Sequence, residues 1–232
     1  KDRIAFIKST VLPAWGVRPN TKDLIETMHL KTLNKLNAHF SIYPYLFGNK
    51  PSIGDFGMIA PLYGHLGRDP VPLSLMQINA PRLFRWVERM NRSEPDIGEF
   101  ADKSTNYLAN DEIPETLIDV LKHFATDFIP ESVAAYNCVS HWLEANKDLP
   151  AGTVAEREVG SCAFEIDGIE INAVAQPFRF YLLHRLQKEF DSLSEADRSD
   201  VRQLLKDCHM DEVLNLRLSR KIGRANNLEV WV

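Results

Sequence analysis

The residues whose types and spacing come nearest to a chemical device are Arg217, Arg220, Lys221 and Arg224, cations with no acidic residue between Leu214 and Asn227. Such a run can hold an anion or a nucleic-acid backbone. Its first reading is plainer, because cations gather at helix C-termini, where they complement the macrodipole. A net charge of −5 over 232 residues argues against wholesale nucleic-acid binding. His29, His39 and His65 have no His, Cys or carboxylate at metal-ligand spacing beside them, and they read as residues at the edges of helix faces. Cys138, Cys162 and Cys208 are odd in number and lack C-x-x-C or Cys/His spacing, so they read as buried, inert thiols in a reducing cytoplasm. The chain contains no G-x-S-x-G, no H-E-x-x-H and no glycine-rich phosphate loop. Neither a catalytic residue nor a metal site is expected from these residues.

The elements that must position any site are mainly helical, and they are organised around the stretch from Tyr45 to Gly67. Ser52 is an N-cap candidate and Asp55 stands three residues on, the spacing of a capping box in which hydroxyl and carboxylate each take a backbone N–H of the first turn. Phe56 is placed to pack back on Pro51 as a hydrophobic staple. Gly54, Gly57 and Gly64 each disfavour the helix by about 1 kcal/mol and Pro61 by about 3. Burial must therefore hold it, and its nearly all-round apolar sequence predicts a helix enclosed by others.

At these residues the sequence resembles a known family. Leu46-Phe47-Gly48 followed by Pro51-Ser52-Ile53-Gly54-Asp55-Phe56 resembles the central-helix signature L-x-G-x-x-P-[ST]-x-A-D-[FL] of the C-terminal domain of cytosolic glutathione S-transferases, with Gly54 in place of Ala. The resemblance extends to a preceding helix, Thr21 to Tyr43, and to Ala80-Pro81-Arg82-Leu83-Phe84-Arg85-Trp86-Val87, which is similar to the family's P-x-[LV]-x-x-W. It covers about the first 92 residues.

Elsewhere the sequence predicts a helix over Lys1 to Leu12 ended by Pro13, a turn or extended segment at Arg68-Asp69-Pro70-Val71-Pro72, and a helix from Pro81. Two helical stretches follow, about Pro114–Asp127 and Pro130–Asn146. Residues 157–175 alternate in polarity about Asp167-Gly168, a strong hairpin cue. Two strands alone are marginal in water, so the hairpin needs cover, and Phe178, Tyr181, Leu182 and Leu186 of the following helix are its expected source. Ser194 caps a last helix that runs to Cys208. Charge shifts along the chain: residues 1–100 carry 13 Lys/Arg and 9 Asp/Glu, net +4, so residues 101–232 carry −9. The expected fold is mainly α, with a transferase-like bundle over 1–92, an acidic linker over 93–113, and a helical extension over 114–232 carrying one β-hairpin.

The resemblance implies a function divided between domains. The family's thioredoxin-like domain, with the residue that activates the glutathione thiol, precedes the region matched here, and the chain opens on Lys and not Met, so residues upstream are expected. Glutathione enters as co-substrate only if that domain is present, and no catalytic residue carries over. The C-terminal domain supplies one wall of the electrophile pocket from its first helix, which places Phe6 and Trp15 as wall candidates and Arg3 as a bidentate partner for an anionic group. A small apolar electrophile is the implied partner, and a homodimer is compatible with the family. Nucleic acid and membrane are not expected partners, and the expected location is the cytoplasm. The alternative is a non-catalytic protein-interaction module built on the same helical domain.

Overall fold

The computed structural model of the protein describes residues 2–92, 99–100 and 105–232. The chain opens on α1 (Asp2–Phe6), widens into a π-helical turn (Ile7–Val11) and closes with the short α2 (Leu12–Ala14). Pro13 accounts for the widening. It has no N–H for the Ser9 carbonyl and its ring crowds that oxygen, so the turn before it opens and the Leu12 N–H bonds the Ile7 carbonyl.

Helices α3 (Lys22–Phe40), α4 (Ile53–Gly64), α5 (Pro70–Asn79), α6 (Pro81–Met90) and α7 (Glu115–Ala145) follow. The rest comprises the hairpin β1 (Ser161–Ile166) and β2 (Ile169–Val174), helices α8 (Phe178–Ser192) and α9 (Glu195–Asp207), and the hairpin β3 (Ile222–Ala225) and β4 (Leu228–Trp231). The fold is mainly α, with two antiparallel hairpins where the sequence predicts one. The first turns through Asp167 and Gly168, both at positive φ, and pairs Ile166 with Ile169. The second turns through Asn226 and Asn227 at φ 49° and 63°, the left-handed pair a type I′ turn requires. Backbone bonds from Trp231 N–H to the Thr153 carbonyl and from Ala155 N–H to the Glu229 carbonyl lengthen this second sheet by one more strand segment.

Packing divides the chain into two units, Lys1–Ile25 with Phe124–Val232, and Glu26–His123. These differ from the segments 1–92, 93–113 and 114–232 expected from sequence. The reason lies at Gly16, where a Cβ would stand 2.5 Å from the Ile171 side chain of β2. That close approach seats the start of the chain on the first hairpin. Of the expected acidic linker, residues 93–98 and 101–104 lie outside the described residues. Its later part is tied by backbone bonds from Asn49 N–H to the Asn106 carbonyl and from Leu108 N–H to the Phe47 carbonyl.

Several helices depart from expectation for identifiable reasons. Residues 70–79 are helical because Pro70 and Pro72 fall in the first turn of α5, where the missing N–H groups have no intrahelical partner anyway. Residues 115–145 form one helix and not two, with Pro130 inside it. The buried Ala135, Val139 and Leu143 just beyond Pro130 hold the helix through a residue that costs roughly 3 kcal/mol in isolation. Helix α4 is not enclosed all round: Asp55 and Leu62 are buried, but Ile53 is 88% and Phe56 61% exposed, so Phe56 is no buried staple. On α8 the buried face is Phe180, Leu183, Gln187 and Phe190, and Phe178, Leu182 and Leu186 are exposed. Helix α8 still shares the core that covers the first hairpin, but mainly through that other face: Cys162 lies in one core with Phe180 and Leu183 of α8 and Ala135, Val139 and Leu143 of α7, with the half-buried Tyr181 against it, and α2 packs against β2. Among the described residues no helix is long and apolar enough to cross a membrane.

Candidate functional site

In the unit Glu26–His123, the residues singled out around α4 form one buried node. Ser52 Oγ accepts from the Asp55 backbone N–H, and Asp55 Oδ2 accepts from the Ser52 N–H at 2.8 Å and from its hydroxyl at 2.8 Å. This completes the capping box. Asp55 does more than cap: its Oδ1 accepts from the Leu46 N–H at 3.2 Å and from the Trp86 indole N–H at 3.0 Å. Every one of these donors is neutral, and the carboxylate is fully buried. Its role is to join the loop before α4, the first turn of α4 and helix α6. Close by in sequence, His39 is completely buried and bridges Thr116 Oγ1 at 2.9 Å and the Tyr45 carbonyl at 3.2 Å. A carbonyl only accepts, so Nε2 carries the proton and Nδ1 accepts from the threonine hydroxyl. Burial pushes the His39 pKa down, with the Tyr45 carbonyl and the Asp55 charge opposing. His39 is a neutral structural bridge and not a boundary residue.

The other histidines and the cysteines hold no metal arrangement, and among the described residues no group of three or more His, Cys, Asp or Glu could hold a metal ion. Cys162 and Cys208 are buried and Cys138 is half-buried. Burial raises the Cys138 and Cys162 thiols, the direction that suppresses thiolate.

In the unit formed by Lys1–Ile25 and Phe124–Val232, Arg3, Phe6 and Trp15 lie on or just beyond the α1–α2 stretch, and all are exposed. Phe6 is 57% and Trp15 48% accessible, with Ile4 exposed beside them. They present apolar surface and line none of the four cavities described in the same unit. Across that unit, Arg179 at the start of α8 reaches α7, pairing with Glu131 and donating to Ser132 Oγ at 2.8 Å. Burial nonetheless raises the Glu131 pKa, against the pull of Arg179.

The largest of these cavities, about 580 Å³, opens between α8 and the segment Leu216–Ile222. His184, Lys188 and Asp191 line it from one face of α8, at i, i+4 and i+7. Arg217, Arg220 and Lys221 line it from the other side. The sequence shows the second group as a run of cations but not the first. The available signal is the spacing of His184 and Lys188 with Phe180 and Gln187, which places a polar rim on the buried face of α8.

The unit Glu26–His123 is thus built around a capped helix whose Asp55 is tied to a tryptophan of a later helix. Residues 18–94, about a third of the chain, match the family model described as "Glutathione S-transferase, C-terminal domain". The chain therefore carries a glutathione S-transferase C-terminal-like domain. No curated protein and no solved structure matches the chain.

Proposed function

We propose that this chain supplies the helical, electrophile-site half of a glutathione S-transferase-like protein, with glutathione bound and its thiol activated by a thioredoxin-like domain outside residues 1–232. The observation that carries the reading is the apolar surface of Ile4, Phe6 and Trp15, left accessible on the first helical stretch beside Arg3. In this reading Phe6 and Trp15 form one wall for a small apolar electrophile, and Arg3 contacts an anionic substrate group or a glutathione carboxylate. The thiolate attacks the electrophilic carbon, the carbon–sulfur bond forms, and the displaced electron pair leaves with the departing group. Action in the cytoplasm goes with it.

A second reading, a non-catalytic interaction module, is favoured by one observation. Ile53, Phe56, Gly57 and Ala60 share one face of α4 and are exposed. Fluorescence titration of residues 1–232 with the apolar dye 8-anilinonaphthalene-1-sulfonate separates the two. The transferase reading expects Phe6→Ala/Trp15→Ala to weaken dye binding and Ile53→Ser/Phe56→Ser to leave it intact. The reverse pattern selects the module. Calorimetry with glutathione is the companion test: residues 1–232 are expected not to bind it at micromolar concentration, and such binding overturns the division of labour between domains.

A further inference from the structure

The cleft between α8 and Leu216–Ile222 collects more positive charge than its surroundings explain. The run Arg217–Lys221 does not complement a helix terminus of any length, because α9 ends at Asp207 and only the four-residue 3-10 turn Asp211–Leu214 precedes the run. Two of its cations have partners. Arg217 forms a bidentate pair with Asp191, at 2.7 and 2.9 Å, and donates through Nε to the Leu214 carbonyl. Arg220 donates to the Leu149 carbonyl. Asp191 is thus already used, and its carboxyl is held low first by its hydrogen bond to Arg217.

That leaves Lys188 and Lys221, which face the same cavity from opposite walls and whose ammonium groups have neither an ion pair nor a hydrogen bond among the described residues. His184 sits one turn from Lys188 on the same wall. Its pKa is lowered first by burial and then by Lys221, Arg217 and Lys188, with Asp191 alone opposing, so the field at the imidazole is that of converging cations. The floor is apolar, formed by Phe180, Leu216 and Ile222, with the half-buried Leu218 beside it.

We propose that this cleft binds a small organic phosphate, its charged head between Lys188 and Lys221 beside His184 and its body against Leu218 and the apolar floor. A phosphate monoester carries about −1.5 to −2 charges at neutral pH, which matches two unpartnered ammonium groups and a titratable imidazole better than a single carboxylate does. The cavity of about 580 Å³ falls in the range of small-molecule sites, roughly 300–1,000 Å³. A nucleic-acid strand is disfavoured because the unit that holds the cleft, residues 1–25 and 124–232, carries 17 Lys/Arg against 20 Asp/Glu, net −3, and has no basic excess to follow a strand beyond the cleft. The inference stands independently of the transferase reading.

Calorimetry on residues 1–232 with phenyl phosphate tests it, with inorganic phosphate and phenol as separate titrants. Phenyl phosphate is expected to bind one to one, inorganic phosphate more weakly, and phenol not at all. Lys188→Gln/Lys221→Gln should weaken phenyl phosphate by about tenfold or more, since each lysine acts as a point charge on the phosphate. Lys206→Gln, an exposed lysine of α9 outside the cleft, should leave the affinity unchanged. A second measurement reads binding in the unmodified protein: the His184 ring-proton resonances, assigned beforehand by their loss in His184→Gln, should move with phenyl phosphate. No saturable heat up to about 10 mM, weaker than any useful metabolite site, overturns the proposal. So does an unchanged affinity in the double lysine variant, or tighter binding of a short single-stranded oligonucleotide through the same two lysines.

Discussion

The indole N–H of Trp86 donates to Oδ1 of Asp55 across 31 residues of sequence, at 3.0 Å and with both residues completely buried. That bond turns a local helix cap into a tertiary joint. A cap by itself is worth about 1–2 kcal/mol. Asp55, however, also satisfies the Leu46 N–H, the Ser52 N–H and the Ser52 hydroxyl, so Asp55→Ala leaves several donors without an acceptor in a buried setting. The expected loss is about 3 kcal/mol or more, because each buried unsatisfied donor costs on the order of 1–3. Urea denaturation measures it. Trp86→Phe, which removes one donor and leaves the cap, should cost clearly less, and equal losses in the two variants would mean that Asp55 acts through Trp86 alone.

His39 predicts how the protein responds to acid. Its folded pKa lies below the ordinary value of 6.5 because burial disfavours the imidazolium, while the unfolded chain keeps that ordinary value. The unfolded state therefore binds more protons just below pH 6.5, and stability should fall as pH drops from there toward the lowered folded pKa. His29 is shifted in the same direction by burial and adds to the slope. His39→Gln should flatten the dependence only in part. Melting midpoints measured between neutral and mildly acidic pH check this, and an unchanged slope in the variant would assign the acid sensitivity to other groups.

Replacing Gly16 should separate two kinds of strain. It sits at φ +79°, and an added Cβ would come within 2.5 Å of Ile171 Cγ2 and 3.3 Å of the Asn172 carbonyl oxygen. Gly16→Ala should destabilise by roughly 1–3 kcal/mol, the cost of holding a side chain in the left-handed region, with the clash added to it. Ile171→Ala in the same background should recover the clash and not the backbone term. A double-mutant cycle followed by thermal melts reads the two apart, and additivity within error would show that the loop after α2 does not rest on β2.

What the sequence made legible was local, and what it hid was set by distance or by a second apolar face. Ser52 and Asp55 lie within one turn, so their pairing could be read directly, whereas Trp86 is a partner that no local pattern indicates. Asp167-Gly168 announced its hairpin because Gly at that turn position is unmistakable. Asn226-Asn227 did not, since Asn tolerates the left-handed region less obviously and its strands are four residues each. On α8, Phe178, Leu182 and Leu186 repeat at helical spacing as well as Phe180, Leu183 and Phe190 do, and only the surrounding core decides which face is covered. The cation run was visible at once. Its meaning changed because the chain there is not helical, and because His184 and Lys188 come to face it from a different element.

The second hairpin offers a prediction of increased stability. Asn227 holds φ 63° at the second central position of a two-residue turn between Ala225 and Leu228, where a type I′ turn prefers Gly. Asn tolerates that region better than most residues, so the strain it stores is modest, and Gly removes it while adding freedom to the unfolded chain. The turn closes strand β4, whose Trp231 is fully buried, stacks on Trp142 at 5.6 Å and donates its indole N–H to Glu156 at 3.1 Å. Asn227→Gly should therefore stabilise this unit by a few tenths to about 1 kcal/mol, while Asn227→Val, β-branched and poorly suited to positive φ, should destabilise it by more than that. Fluorescence-detected urea unfolding, with the Trp142–Trp231 pair as reporter, gives both values. A lower midpoint for the glycine variant would mean that Asn227 contributes through its side chain and not through the turn it occupies.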